Sequence, residues 1–138
     1  MKKYVIDTNA LISFVTDRNL QQQVKIADIF KKAALLKVMI LCPQNVLTEF
    51  IYVLDKVYSI SKNDIREMVK DFIAMPGINI IHEVDIQTVL SYWPESIPDY
   101  GDAVVASVCR SNRTSAIATF DKKFIKKVTT LGLDVHKF

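Results

Sequence analysis

Residues Tyr4–Ile12 read YVIDTNALI. Tyr4, Val5 and Ile6 are the aromatic and β-branched residues that suit a buried strand. Asp7, Thr8 and Asn9 break the run, and apolar residues resume at Ala10. A carboxylate at the tip of an interior strand has two physical explanations. It can close a turn or cap the helix that ALISFV begins, or it can face a site. Which of the two holds depends on where the strand lies, and that follows from the rest of the chain.

Short strand-like runs recur at Val38–Leu41, Ile78–Ile81, Ser115–Thr119 and Leu133–Val135, and helix-patterned stretches separate most of them. Gln22–Leu36 and Pro43–Tyr58 carry apolar residues at helical spacing, with Pro43 suited to a first turn. Ser61–Met75 opens with a capping serine and an acid three residues on, Asp64, and stops before Pro76-Gly77. Tyr100–Ser111 follows Asp99 as its cap. Strands alternating with helices predict an α/β domain with a mostly parallel central sheet. In such a sheet the strand carboxyl ends gather along one edge, where sites form. Asp7 sits at one such end and Asp121, just past SAIATF, at another.

The chain has 138 residues, half of them hydrophobic, enough for one domain, 1–138, with a sizeable core. Three glycines and four prolines leave no room for a long flexible linker. The opening MKK lacks the continuous apolar run and cleavage site of a secretory leader. Apolar runs such as VMILC are too short to cross a bilayer. The expectation is a cytoplasmic protein with no membrane partner. Cys42 and Cys109 lie in apolar contexts and read as buried free thiols. His82 and His136 are isolated and lack zinc-site spacing. A net charge of +3 is too small to argue nucleic-acid binding alone. Lys122, Lys123, Lys126 and Lys127 lie within one six-residue stretch. They read first as a solvated helix face and second as a phosphate-facing patch.

Two further acids stand in apolar company. Glu49 borders the apolar face formed by Val46, Leu47, Phe50, Val53, Leu54 and Val57, where its stem can cover apolar surface while its head reaches water. Asp102 shares a helix face with Val105, Ala106 and Cys109. It reads either as a helix-start acid favoured by the dipole or as a carboxylate needing a cation, since burying one unpaired is costly. Each of Asp7, Glu49, Asp102 and Asp121 is ordinary alone. If they converge they repel, unless a divalent cation neutralises them. Oxygen donors without His or Cys suit Mg²⁺ or Mn²⁺.

VIDTNALI with Asp7, NVLTEFIYVL with Glu49, DYGDAVVAS with Asp102 and TFDKKF with Asp121 occur in this order from the first strand to the last. In this the chain resembles PIN domains, most closely the VapC-type toxin ribonucleases of toxin–antitoxin pairs. The resemblance implies a three-layer α/β/α sandwich with its acidic site at the strand carboxyl ends. It implies hydrolysis of RNA phosphodiester bonds dependent on Mg²⁺ or Mn²⁺, with Asp7, Glu49, Asp102 and Asp121 holding the metal and orienting water. Thr8, Asn9 and Thr119 would hydrogen-bond those ligands. Asp99 would cap the helix, with help to a second metal as the alternative. Lys122, Lys123, Lys126 and Arg110 are candidate RNA contacts. Tyr92, Trp93 and Tyr100 are candidate stacking residues, with core packing the preferred role for Trp93.

An antitoxin protein and a second copy of the chain are the expected partners beside RNA. The surplus of apolar helix in IYVLDKVY and IREMVKDFIAM supports the dimer. Four alternatives compete, one of them a receiver-like signalling domain, which would want clustered N-terminal acids that this chain lacks. A PIN nuclease can serve RNA processing or decay without an antitoxin, and a PIN fold can bind without catalysis. A phosphohydrolase using Asp7 as nucleophile would want an acid two residues on, where this chain has Asn9.

Overall fold

The computed structural model describes residues 1–138 and contains four strands and seven helices. β1 (Lys2–Ile6) leads into α1 (Thr8–Val15), α2 (Leu20–Ala34) and β2 (Val38–Pro43). α3 (Gln44–Lys56), α4 (Lys62–Ala74) and β3 (Ile78–Ile81) follow. α5 (Ile86–Tyr92), α6 (Tyr100–Ser111), β4 (Ser115–Ala118) and α7 (Lys122–Thr130) complete the chain. The strands form one all-parallel sheet in the order β3-β2-β1-β4, and helices flank it as the outer layers of an α/β/α sandwich. The chain builds outward from β1 to β2 and β3, then returns to place β4 on the other side of β1. The strand order therefore reverses between β1 and β4, the position at which open parallel sheets form their sites.

Local chemistry sets most element ends. The Asn19 side chain accepts the Gln22 N–H, so α2 begins at Leu20, two residues before the expected Gln22. Ser61 caps α4 through the Asp64 N–H. Gly77 follows α4 with φ +79°, and a Cβ there would lie 2.5 Å from the Ala33 carbonyl oxygen. Only glycine satisfies both constraints. α6 is the central helix, with every residue from Ala103 to Cys109 buried. α7 carries the four clustered lysines and docks through Phe124 and Val128, both buried. Each buried side chain of this size contributes roughly 1.5–3 kcal/mol, which fastens an otherwise polar helix.

Three expectations need correction. Leu133–Val135 is not a strand. It meets β4 through a single parallel bridge, Ile117 with Val135. Its pairing is limited to the Ile117 N–H donating to Asp134 O and the His136 N–H donating to Ile117 O. His136 and Phe138 then turn to pack on Tyr4 and Phe120. α5 was not expected, because its face has only Val89 and Tyr92 to bury, although Asp85 supplies a cap. Trp93 is no core residue. It is 38% exposed, its ring lies against Tyr100 and its indole N–H donates to Pro98 O. No helix is long and apolar enough to cross a membrane. Cys42 and Cys109 are buried and free, and burial pushes the Cys42 thiol up to about 12.

Candidate active site

The register of β1 against β4 pairs Ile6 with Ala118, so the residues that follow each strand emerge side by side. The Asp7 N–H donates to Ala118 O at 3.1 Å and extends the pairing by one bond. Asp7, only 5% exposed, begins α1 as its cap, with Oδ1 accepting the Thr8 N–H at 2.9 Å. Its Oδ2 accepts the Asn9 amide at 2.8 Å and the Thr119 hydroxyl at 2.9 Å. The same Thr119 oxygen accepts from Asn9 Nδ2 at 2.8 Å and from the Asp121 N–H at 3.1 Å. Asn9 Oδ1 accepts the Phe120 N–H at 2.8 Å. One closed network thus joins the ends of the two strands on either side of the reversal point.

The other carboxylates arrive from helices. Glu49, in the second turn of α3, accepts the Thr8 hydroxyl at 3.0 Å and is otherwise exposed. Asp102, in the first turn of α6, is half-buried. Its N–H donates to the Asp99 cap at 2.9 Å. Asp121 caps α7 through the N–H groups of Lys123 and Phe124. Asp7, Glu49, Asp102 and Asp121 line one cleft of about 210 Å³ with Thr8, Asn9, Ile12, Val53 and Arg18.

Electrostatics tie the four together. Burial pushes Asp7 from 3.8 up to about 6. The Thr119 hydroxyl and Thr8 N–H pull it down, while the charges of Glu49 and Asp121 push it up. Asp102 rises to about 7, first through burial and then through the charges of Asp7, Asp99, Asp121 and Glu49. A cleft that disfavours the charge of its own carboxylates is one that a cation would stabilise. No three carboxylates are drawn into a closed cage in this arrangement. The donor set nevertheless fits a hard divalent ion. Both Asp102 side-chain oxygens, Asp121 Oδ2 and Glu49 Oε1 are free of protein hydrogen bonds, and neither histidine nor cysteine lines the cleft.

The structure treats the basic candidates unequally. Lys122 and Lys123 open α7 beside Asp121. Lys126 lies a turn further on, against a separate cavity with Ser96, Lys127 and Thr130. Arg110 is at the opposite end of α6, ~12 Å of helix rise beyond Asp102. Tyr100 begins α6, and Tyr92 is buried.

Arg18 is the cleft residue that the sequence did not reveal. Its Nη2 donates to Asn9 O at 2.7 Å and its Nε to Ser13 Oγ at 3.0 Å, which fixes an exposed guanidinium at the rim. A lone arginine in TDRN carries no spacing signal. Asn9, for its part, has both ends of its amide engaged, so the position two residues after Asp7 offers no acid or base for an aspartyl-phosphate mechanism.

Comparison with known proteins agrees with this architecture. The PIN domain family model matches residues 4–129. This chain belongs to the PIN domain family, whose members are generally nucleases. Its fold is similar to that in the crystal structure of VapBC2 from Rickettsia felis bound to a DNA fragment from their promoter. That match has 17% identity, TM-score 0.71, and covers 99% of this chain and 98% of the other. It is also similar to PAE2754 from Pyrobaculum aerophilum, at 19% identity and TM-score 0.62, over 94% and 93% of the two chains. The PIN domain endonuclease Utp24 matches at 17% identity and TM-score 0.51, over 91% and 76%. No curated protein matches the chain.

Proposed function

We propose that this chain is an endoribonuclease that requires Mg²⁺ or Mn²⁺ and serves as the toxin of a toxin–antitoxin pair. The observation that carries the reading is the convergence of Asp7, Glu49, Asp102 and Asp121, from four separate elements, on one cleft at the point where strand order reverses. A bound divalent ion would supply an acidified water and stabilise charge on a phosphoryl group. Asp7, Glu49, Asp102 and Asp121 are the residues to hold it and to orient the attacking water. Asn9 and Thr119 fix Asp7, and Thr8 steadies Glu49. Water attacks phosphorus in line as the opposite P–O bond breaks. The water gives up a proton to solvent, the departing ribose oxygen takes one from solvent, and no covalent enzyme intermediate forms.

The toxin role is supported by the likeness to VapBC2 over nearly the full length of both chains. On this reading a cognate antitoxin inhibits by placing a basic side chain in the acidic cleft. Ile51, Tyr52 and Val57 stand exposed on or just after α3 and support a homodimer. The likeness to Utp24 favours a second reading, a PIN nuclease that acts without an antitoxin.

The test is cleavage of single-stranded RNA by purified protein stripped of metal and then given Mg²⁺ or Mn²⁺. Activity should appear only with the metal. Full cleavage in EDTA, with contaminating nuclease excluded, would overturn the metal requirement. Transfer of labelled phosphate onto the protein would favour the aspartyl-phosphate alternative.

A further inference from the structure

A groove of about 760 Å³, several times the size of the acidic cleft, lies beside it. One wall is α2 with the residues before it, the other is α7, and the C-terminal segment closes the far side. The two share no lining residue, but neighbouring residues link them at three points. Thr119, whose hydroxyl holds Asp7, lines the groove. Asn19, next to the cleft residue Arg18, lines one wall, and Lys122, next to Asp121, lines the other.

The lining has the chemistry of a nucleotide site. Lys25, Lys122 and Lys137 bring three positive charges from three segments, against one acid, Asp134. None of these lysines is engaged in an ion pair. Phe120 and Phe138 are stacked at 4.3 Å between centroids, giving an aromatic surface within the groove. At the junction Arg18 is held by two neutral acceptors and makes no ion pair, although it lines a cleft of carboxylates. A guanidinium so fixed keeps N–H donors for a phosphate.

Resting on the nuclease reading above, we propose that this groove binds the nucleotides flanking the scissile phosphate of single-stranded RNA, with Arg18 contacting the phosphate at the junction. Lysines meet the backbone and a base stacks on the phenylalanine pair, as sequence-tolerant single-strand sites do. The aromatic surface favours RNA over an acidic peptide, for which the lysines alone would suffice.

Fluorescence anisotropy with a short labelled single-stranded RNA, in EDTA so that nothing is cut, tests the proposal. Lys25→Gln with Lys137→Gln should weaken binding several-fold and reduce the slope of log affinity against log salt by about 1.4, at ~0.7 per phosphate contact. Phe138→Ala should weaken binding roughly tenfold with the slope unchanged. Lys70→Gln, on α4, should change neither. Unaltered RNA affinity in the double lysine variant would overturn the groove. So would a Phe138→Ala protein of native affinity from which polyglutamate displaces RNA, because that outcome describes an acidic-peptide site. Equal weakening for duplex RNA would overturn the single-strand assignment. If the wild type binds RNA through the groove yet cuts nothing with Mg²⁺ or Mn²⁺, the nuclease reading fails and the groove stands. Cleavage with variant-insensitive binding gives the reverse.

Discussion

The two halves of the cleft are built differently. On the sheet side, Asp7, Asn9 and Thr119 share a network in which each side-chain oxygen and amide has a partner. On the helix side, Glu49 has one hydrogen bond and the Asp102 carboxylate has none. A carboxylate fixed by several donors is oriented before anything binds, whereas one with free oxygens can adjust to a ligand. The sheet half therefore supplies a reference point and the helix half supplies reach. This contrast is open to experiment on each side.

The largest effect is expected on the helix side. Asp102→Asn should bring RNA cleavage below detection while the chain stays folded. The metal-free variant should even gain on the order of 1 kcal/mol, because one of four mutually repelling charges is gone. Mg²⁺ should raise its melting temperature less than that of the wild type. An active but less stable variant would make Asp102 a helix-start residue and undo the contrast. Melts with and without Mg²⁺, beside a cleavage assay, decide the matter.

On the sheet side the expected effect is on pH dependence. Asp7 is raised from 3.8 to about 6, the reverse of the usual salt-bridged carboxylate. Between those values the folded chain binds more protons than the unfolded chain, so stability falls as pH rises through the window. At ~1.4 kcal/mol per pH unit the full loss from Asp7 approaches roughly 3 kcal/mol. Asp102, raised to about 7, acts in the same direction with a smaller effect because it is only half-buried. In EDTA the protein should therefore resist urea better at pH 5 than at pH 8, and saturating Mg²⁺ should shrink the difference. A metal-free protein equally stable at both values would show that burial does not outweigh the hydrogen bonds from Thr119 and Thr8 that favour the Asp7 charge.

Much of this was legible in the sequence because it rests on local rules. The strand tips at Asp7 and Asp121, the caps at Ser61 and Asp99 and the parallel α/β order all follow from residue pattern. The four acids could be named from their apolar company and from resemblance, but their meeting depends on the strand order β3-β2-β1-β4, which no local signal encodes. Arg18 and the groove lysines Lys25 and Lys137 were illegible for the same reason, since each is a single exposed charge whose role arises from what packs nearby. Leu133–Val135 was misread because its apolar alternation marks a segment that touches β4 at only one pair.

A sharper comparison replaces the central hydroxyl of the network. Thr119→Val removes the donor to Asp7 and the acceptor of Asn9 and of the Asp121 N–H. Leaving buried polar groups short of partners should cost about 1–3 kcal/mol. Because that hydroxyl pulls Asp7 down, its loss should also enlarge the total decline in stability with rising pH. Urea titrations at two pH values measure both. A variant as stable as the wild type, with the same pH profile, would show that the network is not rigid.

The smallest effect is expected at Thr8, and its size is the measure of how loose the helix side is. Thr8 is buried, but its hydroxyl makes only one side-chain bond, to a Glu49 that water can reach. In Thr8→Val the volume is nearly kept, and Glu49 exchanges the lost donor for solvent, so no buried group is stranded. Stability should fall by about 0.5–1 kcal/mol, the net size of an ordinary hydrogen bond. Metal affinity should fall further, by roughly tenfold or more, because the hydroxyl orients a ligand rather than holding the fold. Isothermal titration with Mn²⁺ beside urea melts separates the two quantities. If Thr8→Val proved as destabilising as Thr119→Val, Glu49 would be part of the rigid network, and the division of the cleft into a fixed and an adjustable half would fail.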